Sequence, residues 1–163
     1  IDIMGDISYT DERAQKMLFS DEPMGEEKYI LYADLSHTDI GTSDFKAMDG
    51  KRVGVLMGTE PEIMLTEWEK KNGIHTKHVN VNNDDDVEKK LANHEIDCFV
   101  SLEESIWSEQ GISSVTTIGK SGIYFAINKE RSDIKTKMDY AMRQLEQDSP
   151  FFKSDLYKKY FYT

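Results

Sequence analysis

The chain has 163 residues and a mass of 18.8 kDa, with 38% hydrophobic, 10% aromatic and 31% charged side chains. That is enough apolar material for one ordinary domain or two small lobes, and it excludes wholesale disorder. Twenty lysines and arginines against 31 acids leave a formal net charge of −11, which argues against a nucleic-acid partner and against docking on an anionic membrane surface.

Mean hydropathy is −0.62, and no stretch has the length and apolarity of a membrane span. No cationic segment precedes an apolar one as in a signal peptide. The chain opens at Ile1 without a Met, which reads as a processed or excerpted piece. The single Cys98 can form no internal disulfide and no cysteine-rich metal site.

In chain order, residues 1–7 read as a strand, 10–17 as a helical turn and 28–35 as a second strand. The middle alternates strongly. Residues 52–57 (RVGVLM) make a short buried strand, and 60–72 a helix with Ile63, Met64, Leu65 and Trp68 at helical spacing and Gly73 as its stop. Residues 75–81 read as a strand, 84–93 as a helix with Val87 and Leu91 on one face, and 96–102 (IDCFVSL) as a strand. This β-α-β-α-β order predicts a parallel sheet covered by helices. Residues 103–108 follow as a helix, 113–118 and 122–128 as two strands, and 133–147 as a helix whose stripe is Ile134, Met138, Ala141, Met142 and Leu145. Pro150 interrupts it before an aromatic, amphipathic tail, FFKSDLYKKYFYT.

The sharpest local feature is Gly58-Thr59-Glu60-Pro61-Glu62. Thr59 and Glu62 have capping-box spacing, and Pro61 suits a first turn whose N–H groups are unused. A carboxylate can sit at such a helix start, and a well-capped helix after a strand needs no ligand at all. Residues 5–13 (GDISYTDER) place Ser8 at a strand end and Thr10 as a cap, with Arg13 in the first helical turn, where a cation opposes the helix dipole. Arg13 with Ser8 makes a carboxylate clamp, or else Arg13 forms a surface ion pair with Asp11, Glu12 or Asp21. His75 and His78, three apart in a strand, point to opposite faces and cannot share a metal. His37 and His94 read as solvated. Residues 82–86 (NNDDD) lack the glycine and final glutamate of a calcium loop and read as an acidic helix start. Cys98, Trp68 and the methionines read as packing, and no nucleophile, base and orienting group come together. Neither catalytic residues, a metal nor a cofactor is expected.

Taken together, DIMGDISYTDERAQKMLFSDEPM, MDGKRVGVLMGTEPEIML, HEIDCFVSLEES, GIYFAINKE and SDLYKKYF resemble successive motifs of the type II periplasmic, or extracellular, solute-binding proteins, in the amino-acid-binding family 3 branch. The resemblance covers nearly the whole chain in order and spacing. It implies an α/β, type II periplasmic-binding-protein-like fold of two lobes with helix-flanked, parallel-rich sheets. Residues 1–49 and 129–163 would form a partial lobe 1 with its hinge strand, and 50–128 lobe 2. The family's opening β-α units have no counterpart before Ile1, so lobe 1 is expected to be incomplete and prone to self-association.

By position, the resemblance puts Arg13 on a ligand α-carboxylate, with Ser8 beside it and Gly58 and Thr59 completing the site from lobe 2. Leu102 falls where the family commonly has an aspartate for the α-amino group, so either Glu103 substitutes or the ligand lacks an α-amine. Asp6 adds a negative charge where small polar residues are common. The implied function is recognition of a small amino-acid-like or carboxylate solute in an interlobe cleft, with closure as the output. The role leans to an extracytoplasmic sensor domain attached to a membrane signalling module such as a histidine kinase or diguanylate cyclase. The alternatives are the binding component of an amino-acid ABC transporter working with a permease and, behind it, a cyclohexadienyl or prephenate dehydratase-like enzyme.

Overall fold

The computed structural model describes residues 1–161 apart from 42, 44 and 105. Tyr162 and Thr163 at the end of the tail, and Ser105 inside the helix expected at 103–108, lie outside the described residues. The elements are β1 (Ile3–Ser8), α1 (Asp11–Lys16), β2 (Met17–Phe19), β3 (Gly25–Ala33), β4 (Arg52–Val55), α2 (Glu60–Asn72), β5 (Lys77–Asn80), α3 (Asp84–Ala92), β6 (Cys98–Leu102), α4 (Ile106–Glu109), β7 (Ser113–Asn128), α5 (Ser132–Asp148) and α6 (Phe152–Phe161), with a 3-10 turn at Phe45–Met48. The chain divides into two compact units. Unit 1 is Ile1–Glu27 with Ser121–Thr163, and unit 2 is Lys28–Lys120. These limits fall inside β3 and β7 and differ from the sequence limits at 50 and 128. Residues 28–33 belong with unit 2 because Tyr29, Ile30, Leu31 and Tyr32 pair antiparallel with Leu102, Ser101, Val100 and Phe99.

Unit 2 has the strand order β3-β6-β4-β5, with β4 parallel to both β5 and β6. Helices on both faces demand strands that are apolar on both sides, and the sequence supplies them. Leu31, Ala33, Val53, Val55, Cys98 and Val100 pack with Leu65 and Trp68 of α2 on one face. Ile30, Tyr32 and Phe99 pack with Val87 of α3 and Trp107 of α4 on the other. Trp107 is fully buried against Phe99, with ring centroids 4.6 Å apart, and its indole N–H is a buried donor without a partner among the described residues. Helix α2 begins and ends where expected, but its inward face differs. Ile63 is 61% exposed, whereas Glu69 is buried because its carboxylate serves Thr76 and His78. Burial raises the Cys98 thiol well above its usual range, so it behaves as core.

The two strands expected at 113–118 and 122–128 are one continuous strand, β7. Gly119 does not mark a turn. A Cβ there would meet the Met64 side chain, so the glycine lets helix α2 lie close over the strand.

In unit 1 the last residues of β7 run between β1 and β2, both antiparallel to it. Ile3 and Met4 pair with Ile127 and Ala126, and Met17, Leu18 and Phe19 with Asn128, Ile127 and Ala126. Three-residue β2 is too short to leave a periodic signal in the sequence. The stripe read on α5 is only partly covered, since Met142 is buried while Ala141 and Leu145 are exposed. The other buried position of α5 is Asp139, which accepts the Asp21 N–H at 2.7 Å and pairs with Lys135 at 2.5 Å. That carboxylate, more than apolar area, ties α5 to the segment after β2.

Candidate functional site

In unit 1 the register of β1 slips between Met4 and Ile7, and Asp6 inside the slip has a left-handed φ of 60°. Aspartate tolerates that conformation better than most residues, and a bulge of this kind re-aims the residues beyond it. Ser8 emerges opposite Ile123, and Thr10 caps α1 by accepting the Arg13 N–H on its hydroxyl at 3.2 Å. The Arg13 guanidinium donates to the Ser8 carbonyl at 2.9 Å. Among the described residues it has no acidic partner. Glu12 pairs with Lys16, and Asp21 with Lys135 and Arg143. The ion pair weighed in the sequence is thus not formed. Arg13 is an exposed, anchored cation with most of its fork unused. The same unit holds an aromatic group the sequence did not single out: Tyr9 packs on Phe19 at 5.1 Å and on Tyr124 at 6.4 Å.

In unit 2 the chain leaves β4 for β5 on one side and returns to β6 on the other. In such sheets the crevice outside the carboxyl ends of the strands, where the order reverses, is the usual ligand position. Here those ends carry Leu56 to Thr59 after β4 and Leu102 to Glu104 at the end of β6. Gly58 turns the chain into α2 with a φ of 75°, a conformation that disfavours any Cβ. The expected capping box is not formed. The Thr59 hydroxyl donates back to the Leu56 carbonyl, and Glu62 reaches past Thr59 to accept the Gly58 N–H at 2.7 Å. That contact first, and His78 second, hold the Glu62 carboxyl below its usual range. Gly58 therefore has its N–H already engaged, and Thr59 presents the backbone N–H of the turn that no described residue accepts from.

Glu103 sits at the mouth of β6, where its N–H donates to the Lys28 carbonyl at 2.9 Å and its carboxylate lies 3.4 Å from the Lys28 ammonium. A ligand ammonium would compete with that lysine. Neighbouring Glu104 is held above the usual carboxyl range by burial and then by Asp84. Among the described residues no three histidine, cysteine or acidic side chains are grouped to hold a metal ion.

The structure thus brings Asp6, Ser8 and Arg13 together on unit 1, and Gly58, Thr59 and Glu103 to the carboxyl-end side of the unit 2 sheet. The sequence profile described as NMT1/THI5 like matches residues 31–129, more than half of the chain. The chain belongs to the NMT1/THI5 like family. A curated relative is the histidine-binding periplasmic protein of Escherichia coli, 25% identical over 98% of this chain and 64% of that protein. The chain therefore spans a little under two thirds of that relative's length. Among solved structures, the probable amino-acid ABC transporter extracellular-binding protein of Bacillus subtilis superposes with a TM-score of 0.79 at 18% identity, over 98% of this chain and 71% of that one. An ancestral amino acid-binding protein, a precursor of cyclohexadienyl dehydratase, superposes with a TM-score of 0.69 at 21% identity, over 99% and 69%. The family-level resemblance read in the sequence and the α/β periplasmic-binding-protein fold both hold.

Proposed function

We propose that this chain is the ligand-recognising part of an extracytoplasmic solute-binding protein and that its solute is a small amino-acid-like carboxylate. The observation that carries the reading is Arg13: a cation in a strongly acidic chain, anchored on the Ser8 carbonyl, with no carboxylate of its own among the described residues. A planar fork held this way suits a ligand carboxylate. The Thr59 N–H at the start of α2, which has no acceptor among the described residues, is a second donor of the same kind.

Of the two roles within this class, the transport role is favoured, because the relatives' names are those of periplasmic and ABC-transporter binding proteins. The partner in that role is a permease. A sensor module attached to the same protein remains the second reading, and rests on the resemblance of the tail and of the 29–40 segment to sensor-attached members. An enzyme is the third reading, behind both, because the relatives are named as binding proteins.

The test is a thermal-shift panel of amino acids, keto acids and dicarboxylates on the longest natural protein containing this chain, repeated with Arg13→Ala. A ligand present at 100 times its dissociation constant stabilises by about 2.7 kcal/mol, a shift easily seen. A hit abolished by Arg13→Ala supports the proposal. No hit, or a hit indifferent to Arg13, overturns it, and turnover of prephenate would replace it with the enzyme reading.

A further inference from the structure

His78 lies on β5 with its two ring nitrogens facing different carboxylates of α2. Nδ1 is 3.2 Å from Glu62 Oε1, and Nε2 is 3.3 Å from both oxygens of Glu69. All three side chains are largely withdrawn from solvent, with 17%, 24% and 11% exposure for His78, Glu62 and Glu69. Glu62 and Glu69 are two helical turns apart and share one face of α2. Each already works as an acceptor: Glu62 takes the Gly58 N–H, and Glu69 takes the N–H of Thr76 at 3.1 Å and its hydroxyl.

An ionised carboxylate has no proton to give, so both ring nitrogens must donate, and only the doubly protonated imidazolium has two donors. The neutral ring would set one lone pair against a carboxylate and leave two anions on one helix face with no cation between them. Among the described residues no other charged group contacts His78. On β4 its register partner is Val53. The nearby His75 is exposed and faces Asp49 instead.

We propose that His78 is a positioning residue: as imidazolium it staples both ends of α2 to β5 and holds the Glu62 carboxylate on the Gly58 N–H. The staple ends on the acid side when Glu62 is protonated, below its usual range. While it holds, Glu62 occupies a donor that a ligand anion at the same turn would otherwise use. All of these groups lie in unit 2, so the inference stands or falls separately from solute binding.

The test is NMR of the full chain labelled with 15N-histidine at about pH 5, read by ring-nitrogen shifts and the Gly58 amide proton, with urea unfolding at the same pH. Both His78 nitrogens should give the protonated signature, and His78→Gln should move the Gly58 amide and lower the urea midpoint. Should that variant fail to fold, Glu69→Gln keeps the packing and leaves Glu62 in place, yet should still move the Gly58 amide because it loosens His78 from α2. A singly protonated His78, or a Gly58 amide unmoved in these variants, would overturn the proposal.

Discussion

The parallel strands β4 and β6, whose carboxyl ends frame the unit 2 crevice, are joined near their other ends by one ion pair. Asp97 accepts the Arg52 backbone N–H at 2.8 Å, Nε–H at 3.1 Å and Nη2–H at 2.7 Å, and the remaining Nη1 reaches the His94 carbonyl at 2.5 Å. Hydrogen bonds to charged groups contribute about 1.5–3 kcal/mol when sheltered. The side chains here are 41% and 27% exposed, so screening reduces the whole arrangement to about 1–2 kcal/mol. Asp97→Asn should therefore destabilise by about 1–2 kcal/mol in urea unfolding at neutral pH. A double-mutant cycle with Arg52→Gln should return a coupling of about 1 kcal/mol. The Arg52 guanidinium holds the Asp97 carboxyl below its usual value of 3.8. A carboxyl lowered on folding stabilises above its unfolded value and loses that contribution as pH falls through its folded value. The gap between wild type and Asp97→Asn should thus stay flat at neutral pH and close as the pH falls below 3.8. Additive single mutants, or a gap unchanged into acid, would show that Arg52 and Asp97 contribute independently.

Further outcomes follow from the same packing. A Cβ on Gly54 would meet Ile96 Cδ1 at 2.9 Å, Val81 Cγ1 at 3.0 Å and Phe99 Cβ at 3.2 Å. Gly54→Ala should therefore cost about 1–3 kcal/mol by overpacking, seen as a lowered urea midpoint with an unchanged slope. Thr10→Ala removes the cap of α1 and should cost about 1 kcal/mol, with faster hydrogen exchange at the Arg13 amide and weaker binding of any carboxylate solute that Arg13 holds.

The alternating middle of the chain was legible because each element there carries its own punctuation. Helix α2 starts after Gly58-Thr59 and stops at Gly73, and β4 and β6 carry the apolar runs Val53–Val55 and Cys98–Val100. What escaped the sequence depends on partners distant along the chain. Gly119 looks like a break until Met64 is placed over it, and Leu145 looks like core until α5 is anchored by Asp139. At the candidate site the Thr59 and Glu62 spacing was visible, yet the glutamate takes the Gly58 N–H and also meets His78 from the distant strand β5. The two acids seven apart on α2 were the available sign of that staple, but nothing local joins them to a strand histidine. Arg13 was visible as an oddity of charge placement, and its lack of an acidic partner emerged only once Glu12 and Asp21 were seen engaged elsewhere.

In the proposed function Arg13 receives a solute carboxylate. The most direct test is calorimetric titration of the strongest amino-acid-like hit into wild type, Arg13→Ala and Arg13→Lys. Hydrogen bonds to charged groups contribute about 1.5–3 kcal/mol, so Arg13→Ala should weaken binding by at least about tenfold, with Arg13→Lys recovering part of the loss. Equal affinity in all three proteins, with the fold intact, would contradict the account.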